Sequence, residues 1–598
     1  MRIATILLYG VAFPLINAFW INSNKSNFVT FGHRRRHWIG GQHQFMSDPT
    51  ATKDSSSSST TSSFRLGYVT DVEGNLDYFL SYVHQSTVLS TVDDIYDSKE
   101  LQQQQHLQLE LNDPEHSYFV FGGDAVDKGP GDIRLVRALV DLKRRYPTRV
   151  FLLVGNRDLN KVRLTAELSA EDMDRPIDEI PPPHWDLKAP TLREYLERII
   201  EDEKARQKEQ KDSTTPRSIQ SLNTRVRRLH YMLEKTLGCP NTFEFRRQEL
   251  SLLQNRDLQD ITDEEVVENF LYEIEQGSLY EYLSVANVAV VVGNTLFCHG
   301  AVDRRTMQFV PSTTTRFESP KSKPPAATMA STVEEWVEGL NLYRQEGLKD
   351  YKARPKWDSD RTTRGGESLL ALQNRAAMWG RSIVSNCYGD GGCITTANTA
   401  QVRNDPNRIA SEDFDALAFN RVCSDPADPV VAEWLSSNGI QRVVVGHKPT
   451  GDCPSVLSAV HTGVEIVSAD TSFSDTSAVD KRGCAHCSVE LWGSSPLDNR
   501  LRLVGTLRDG RSYDCEFHRL YPGGGIDGTV GDPHLGRQVR DGWWVKASTK
   551  AAREVDGDED AEKCYDYWLT RGKGRFVEYK CIEASKLRDW MISPHKRC

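Results

Sequence analysis

Five short polar motifs hold the residues best suited to chemistry. They are Thr70-Asp71-Val72-Glu73-Gly74-Asn75, Gly123-Asp124-Ala125-Val126-Asp127-Lys128-Gly129, Gly155-Asn156-Arg157-Asp158, His299-Gly300 and Gly446-His447. Each follows a short apolar run of strand length. Carboxylates, an amide and two imidazoles are metal-ligand types. Hard oxygens suit magnesium and manganese, and imidazole suits zinc and iron. Two divalent cations held about 3.5–4 Å apart can clamp a phosphate and activate a water between them. A lone buried Asp or His is more often a hydrogen-bonded structural group. Five such motifs, each at the end of a strand, argue instead for one site.

In this order the motifs resemble those of the calcineurin-like metallophosphoesterases, in particular their phosphoprotein-phosphatase branch. That pattern runs D-x-H, G-D-x-x-D-R-G, G-N-H-E or G-N-H-D, H-G or H-A, then G-H. The resemblance covers about residues 66–475, apart from insertions. It implies that Asp71 and Glu73 bind a first metal, that Asp124 bridges two, and that Asn156, His299 and His447 complete the second. The implied cofactors are two divalent ions, manganese or magnesium, with iron or zinc open at the second position. Asp127 is expected to orient a neighbour rather than bind metal. Lys128 replaces the family's Arg and attracts phosphate as a point charge without the bidentate fork. Gly129 and Gly155 are expected to let the backbone turn sharply.

Two departures matter more. Glu73 stands where the family has a His, which adds negative charge and favours a harder metal, or places a water-binding carboxylate in a one-metal site. Arg157 stands where the family has a His thought to protonate the leaving group. Arg does not titrate usefully in proteins. It is expected to clamp phosphate and stabilise developing charge, or to sit in a salt bridge with Asp158 or the helical insertion. As a clamp it implies that aryl phosphates or anhydrides are cleaved better than alkyl phosphates.

The elements that must position these residues can be read from the apolar runs. Strands are predicted at 66–69, 118–121, 150–154, 288–292, 295–298, 442–445 and 464–467, mostly β-branched or aromatic. Near-continuous apolar strands belong to a sheet covered on both faces. Ile133, Val136, Leu139 and Val140 recur at helical spacing before Tyr146-Pro147. The fold class is α/β, with sites at the carboxyl ends of strands. With the resemblance it becomes a four-layer α/β/β/α metallophosphoesterase sandwich with a helical insertion and a β-rich C-terminal unit.

The expected division is 1–47 presequence, 48–63 Ser/Thr-rich linker, 64–158 first core part, 159–286 helical cap, 287–475 second core part and 476–598 C-terminal unit. Within the cap, helices are predicted at 192–208, 224–237 and 263–283. Residues 93–116 read as a surface insertion and 303–332 as a flexible loop. Lys161 and Arg163 either extend a positive pocket or begin an exposed helix. Arg246 and Arg247 read as solvated charge. His461 and Asp470 flank the last core strand without an assigned role. Leu507 to Arg511 carries an Asp-Gly hairpin signal.

Residues 3–20 are mostly apolar and end near a small-residue site at Ala18, as in a secretory signal. Residues 19–47 then lack Asp and Glu and include Lys25, Arg34, Arg35 and Arg36. This resembles the two-part presequence of algae with complex plastids, so a plastid address is expected, with secretion or an endomembrane lumen as the alternative. No later stretch is long and apolar enough to span a bilayer. A net charge of -10 argues against a general nucleic-acid binder. Cys484 and Cys487 form one C-x-x-C pair, read as packing thiols or a disulfide before a zinc site.

The resemblance implies hydrolysis of a phosphomonoester, on a protein or small molecule, by a two-metal-activated hydroxide. A nucleotide anhydride hydrolase of the diadenosine tetraphosphate type shares the motif order. A non-catalytic metal- or phosphate-binding protein is the reading from a different class.

Overall fold

The computed structural model describes residues 64–92, 104–180, 182, 189–210, 218–303, 306–312, 327–373, 383–384, 387–388, 394–395, 429–459, 463–471, 487–519, 531–550, 565–573 and 576–591. The presequence and linker expected over 1–63, together with Cys484 and His461, lie outside them.

The described chain is mixed α/β, built on two sheets. The first contains β1 (Phe64–Val69), β2 (Ser117–Phe121) and β3 (Val150–Leu152), paired in parallel. The second contains β4 (Ala289–Val292), β5 (Thr295–Cys298), β6 (Arg442–Val445), β7 (Ser455–Ala459) and β8 (Val464–Ser468). Its order is β7-β8-β6-β5-β4, with β5, β6 and β8 parallel. All but Ser455–Ala459 coincide with the apolar runs, because such side chains need cover on both faces.

The inner faces meet in one core. Leu66, Tyr68 and Val120 of the first sheet share it with Val290, Phe297, Val444 and Val467 of the second. Tyr68 stacks on Phe297 with centroids 5.7 Å apart. Helices close the outer faces. The helices include α1 (Leu76–Gln85), α2 (Asp132–Arg145), α3 (Asn156–Asn160), α4 (Leu192–Gln210), α5 (Arg225–Tyr231), α6 (Thr242–Gln254), α7 (Asp263–Glu275), α8 (Ser278–Val285), α9 (Val333–Ala353) and α10 (Pro429–Ser437). Leu135, Leu139 and Tyr282 from α2 and α8 pack with Phe119, Phe121 and Leu152. Trp336 of α9 meets Trp434 of α10 edge-on over the second sheet's outer residues, among them Leu296 and Val443.

The strands of the C-terminal region are β9 (Cys487–Ser495), β10 (Asp498–Thr506), β11 (Ser512–Glu516), β12 (Trp544–Lys550), β13 (Tyr565–Lys573) and β14 (Phe576–Glu583). They continue the first sheet, whose order is β14-β13-β12-β11-β10-β9-β1-β2-β3. β9 pairs antiparallel with β1, from Phe64 against Gly493 to Tyr68 against Val489. The Asp-Gly turn joins β10 to β11, with Gly510 at φ 84°. Cys487 is a buried free thiol whose pKa burial pushes up to about 12.

Several local expectations are corrected. Residues 104–116 are not a plain surface insertion, because Leu109 and Leu111 are buried and pair with residues 89–91. The helix expected over 263–283 breaks at Gln276-Gly277 into α7 and α8. A Cβ at Gly277 would stand 2.6 Å from the Glu273 carboxylate. Part of the loop expected at 303–332 forms a two-stranded ribbon, Phe309–Pro311 with Ala327–Met329.

The helical insertion has its own core, including Leu196, Leu229, Phe243 and Phe270, which Ile133 of α2 joins. It is anchored to the motif region through α6. The buried Glu249 carboxylate accepts from the backbone N–H groups of Ile133 and Arg134, each at 3.0 Å. Those amides lie in the first turn of α2, where no intrahelical acceptor exists. Arg246 is therefore not solvated. It is 4% exposed and donates to Asp132 at 3.1 Å.

Candidate metal centre

The parallel strands β1, β2, β5 and β6 aim their carboxyl ends at one place, and the backbone knits the loops together there. Asp71 and Glu73 donate their N–H groups to Gly123 O and Asp124 O, each at 3.0 Å. On the second sheet, Gly446 N–H donates to His299 O at 2.9 Å. Other bonds cross between the sheets. The His299 Nδ1 lies 2.9 Å from Gly122 O, and His447 N–H donates to Asp71 Oδ2 at 3.0 Å. The first of these contacts leaves His299 Nε2 directed at the centre.

Five site residues are held with positive φ: Asp71 (54°), Glu73 (52°), Asp124 (54°), Asp127 (123°) and His447 (71°). Such backbone costs about 1–3 kcal/mol per residue and persists only where the surroundings over-determine it, typically at functional sites. No periodicity or motif rule reveals this feature.

All the expected ligands meet. Asp124, His299 and His447 form one group of metal-capable atoms, and Asp71, Glu73 and Asp124 form another. The atoms of each lie within 4.8 Å of one another. Asn156 Oδ1 is 2.8 Å from His447 Nδ1 and 3.3 Å from His299 Nε2. One carboxylate, one amide oxygen and two imidazoles are a donor set that suits a divalent ion.

The charges are strongly coupled. Burial drives the Asp71 carboxyl well above the usual range, and Asp470 reinforces it. Burial works against the charged form of Asp124, but His299 and Arg157 hold it low. Burial also disfavours a charged His299, yet Asp124 and Asp71 push its pKa up to about 10. Burial opposes ionisation of Glu73, and Arg157 and Lys128 nevertheless keep its pKa below normal.

Arg157 and Lys128 both sit on Glu73. Arg157 Nε is 2.5 Å from Oε1 and Lys128 Nζ is 2.8 Å from Oε2. Arg157 Nη1 reaches Asp127 Oδ2 at 3.3 Å. Asp127 is fully buried and also takes Lys161 Nζ at 2.7 Å. Lys161 is therefore no exposed helix start, being 2% exposed. Arg163 instead pairs with Glu167 at 2.8 Å.

Asp158 had no assigned role beyond a possible partner for Arg157. It is completely buried, and its carboxylate accepts three backbone N–H groups, from Asp124 (3.0 Å), Ala125 (2.9 Å) and Gly155 (2.8 Å). It fixes the second motif against the third. The acidic residue closing Gly155-Asn156-Arg157-Asp158 was the available signal.

Gly155 is required for close approach rather than for a sharp turn. Its φ is -99°, but a Cβ would stand 2.0 Å from Asp124 Oδ1 and 2.3 Å from Asp124 N. Gly155→Ala is expected to cost about 1–3 kcal/mol by overpacking and to displace Asp124. Thermal unfolding and metal affinity measured together check this. An unchanged metal affinity would show that Asp124 had not moved.

No family model matches the chain. No curated protein matches it. Among solved structures, it is similar to a cold-active protein-tyrosine phosphatase of the psychrophile Shewanella sp., at 14% identity over 75% of this chain and 80% of that one, with a TM-score of 0.31. It is also similar to a protein serine/threonine phosphatase from Saccharomyces cerevisiae with similarity to human phosphatase PP5, at 11% identity over 72% of this chain and 74% of that one, with a TM-score of 0.27. Likenesses of this size do not decide function.

Proposed function

We propose that the protein is a metal-dependent phosphoesterase that hydrolyses a phosphomonoester. The observation that carries this is the meeting of Asp124, Asn156, His299 and His447 at the carboxyl ends of parallel strands in both sheets. A divalent ion held by them would polarise a phosphoryl oxygen and acidify a water molecule.

The protein's own residues do the positioning. Gly122 O fixes the His299 ring, and Asp71 holds the His447 backbone. Asp158 sets the loop that carries Asp124. Asp127 orients Arg157 and Lys161 from beneath. Glu73 takes Arg157 Nε and Asp127 one N–H of Nη1, so Nη2 and the second N–H of Nη1 are left to contact a phosphate oxygen. Lys128 adds positive charge on the same side as Glu73. Arg157 has no proton to give at neutral pH, so the leaving group must depart largely unaided.

Aryl phosphates should therefore turn over faster than alkyl phosphates by about 10², the lower end of what a general acid contributes. A panel of p-nitrophenyl phosphate, a phosphoserine peptide, an alkyl phosphate and diadenosine tetraphosphate tests both substrate class and mechanism. Equal aryl and alkyl rates would remove the unaided-departure account. Cleavage of the anhydride alone would replace the monoester reading with the nucleotide one.

We further propose a plastid address in residues 1–63, supported by the apolar run followed by the basic, acid-free segment. A reporter carrying these residues in a complex-plastid alga should enter the plastid, and its retention in the cytosol would refute the address.

A further inference from the structure

We infer that this chain binds one divalent ion rather than a pair, with the Arg157 guanidinium in the place of the second cation. This rests on the metal reading above and concerns how the two donor groups around Asp124 differ. The group with Asn156, His299 and His447 adds an amide oxygen and two imidazoles, and no further carboxylate, to Asp124 and fits a divalent ion. The group with Asp71 and Glu73 does not fit one.

Both Glu73 oxygens already face cations, Arg157 Nε at 2.5 Å and Lys128 Nζ at 2.8 Å. Asp71 Oδ2 accepts from Thr70 Oγ1 at 2.6 Å and from His447 N–H at 3.0 Å. Water screens these pairs little, since the Glu73 side chain is 5% exposed, Lys128 11% and Arg157 14%. Ion pairs at such depth are costly to break, because the abandoned partner stays buried and charged.

Arg157 is also held from several directions. Its backbone N–H donates to Asp124 Oδ1 at 2.8 Å, its Nη1 meets Asp127, and its carbonyl accepts from Lys161 Nζ at 3.0 Å. Its Nε lies 3.7 Å from Asp124 Oδ2, the carboxylate that a metal pair would have to share. A second divalent ion there would stand beside a fixed positive charge and lack the Glu73 carboxylate.

The two departures from the family pattern, Glu73 and Arg157, thus prove to be partners. The added carboxylate neutralises the added guanidinium. A guanidinium supplies fixed positive charge and directed N–H groups. It cannot act as a Lewis acid.

The test is metal stoichiometry. Metal-stripped full-length protein is reloaded with manganese, desalted and counted by mass spectrometry, with paramagnetic resonance reporting whether ions are isolated or exchange-coupled. The wild type should hold one manganese per chain with an isolated-ion spectrum. Arg157→His should double the content and give a coupled spectrum. Arg157→Gln, which removes the charge at similar length, should also gain an ion and serves where the His variant does not fold. Two ions in the wild type, or one in both folded variants, would overturn the inference while the metal reading stands. No ion in folded wild type would overturn the metal reading itself.

Discussion

Asp124→Asn should reduce metal-dependent phosphate release by about 10³, the scale of losing a preorganised charge at the reacting centre. Asp124 is the one residue shared by both donor groups. Its Oδ1 accepts from Arg157 N–H at 2.8 Å, and an Asn oxygen can keep that bond. Its Oδ2 lies 3.5 Å from His299 Nε2 and 3.7 Å from Arg157 Nε. There the substitution replaces a negative oxygen with an amide nitrogen facing two cationic or donor groups. The change therefore removes charge at the centre while leaving the loop's hydrogen bonds in place. Turnover should collapse in protein that circular dichroism shows to be folded, with a lowered unfolding temperature from the uncompensated His299 and Arg157 charges. Retained turnover in a folded Asn variant would show that phosphate chemistry takes place elsewhere.

Asp158→Ala should destabilise the fold by about 3–5 kcal/mol, because a fully buried carboxyl that accepts three backbone N–H groups is removed. Three backbone N–H groups would lose their acceptor, and each buried unsatisfied donor costs about 1–3 kcal/mol. Water entering the vacated space offsets part of the sum. The loss reaches the site directly, because two of the donors are Asp124 and Ala125. Asp124 holds a positive φ that its surroundings must enforce. Urea unfolding checks the stability, and metal affinity checks the site. A change of under about 0.5 kcal/mol, typical of a bland surface substitution, would mean that Asp158 does not fasten the two motifs.

Seven of the eight core strands were legible, because runs such as Val288 to Val292 are suited to a covered sheet, whereas Ser455–Ala459, with two serines, carries no such run. Which strands pair was less legible. The alternation in residues 487–516 reveals strands, yet nothing local says that β9 lies against β1, over four hundred residues away in sequence. The meeting of Asp71, Asn156, His299 and His447 could be anticipated from motif order.

The charge contacts could not be anticipated. Lys161 and Arg246 look like ordinary surface cations in sequence, and their burial depends on Asp127 and Asp132 approaching from other segments. Arg157 is the instructive case. Its type excluded acid catalysis, but only the fold shows Glu73 against it. The left-handed backbone at Asp71, Glu73, Asp124, Asp127 and His447 is fixed where loops cross, on residue types of which Asp and His tolerate it better than most.

Release of p-nitrophenol from p-nitrophenyl phosphate by the purified protein, assayed with manganese, with magnesium and with chelator, shows whether the site is a metal-dependent phosphoesterase. Release that requires a divalent ion and stops with chelator is the predicted result. No release under any metal, from protein shown to be folded and metal-loaded, would contradict the account and leave a metal-binding protein without phosphoesterase activity.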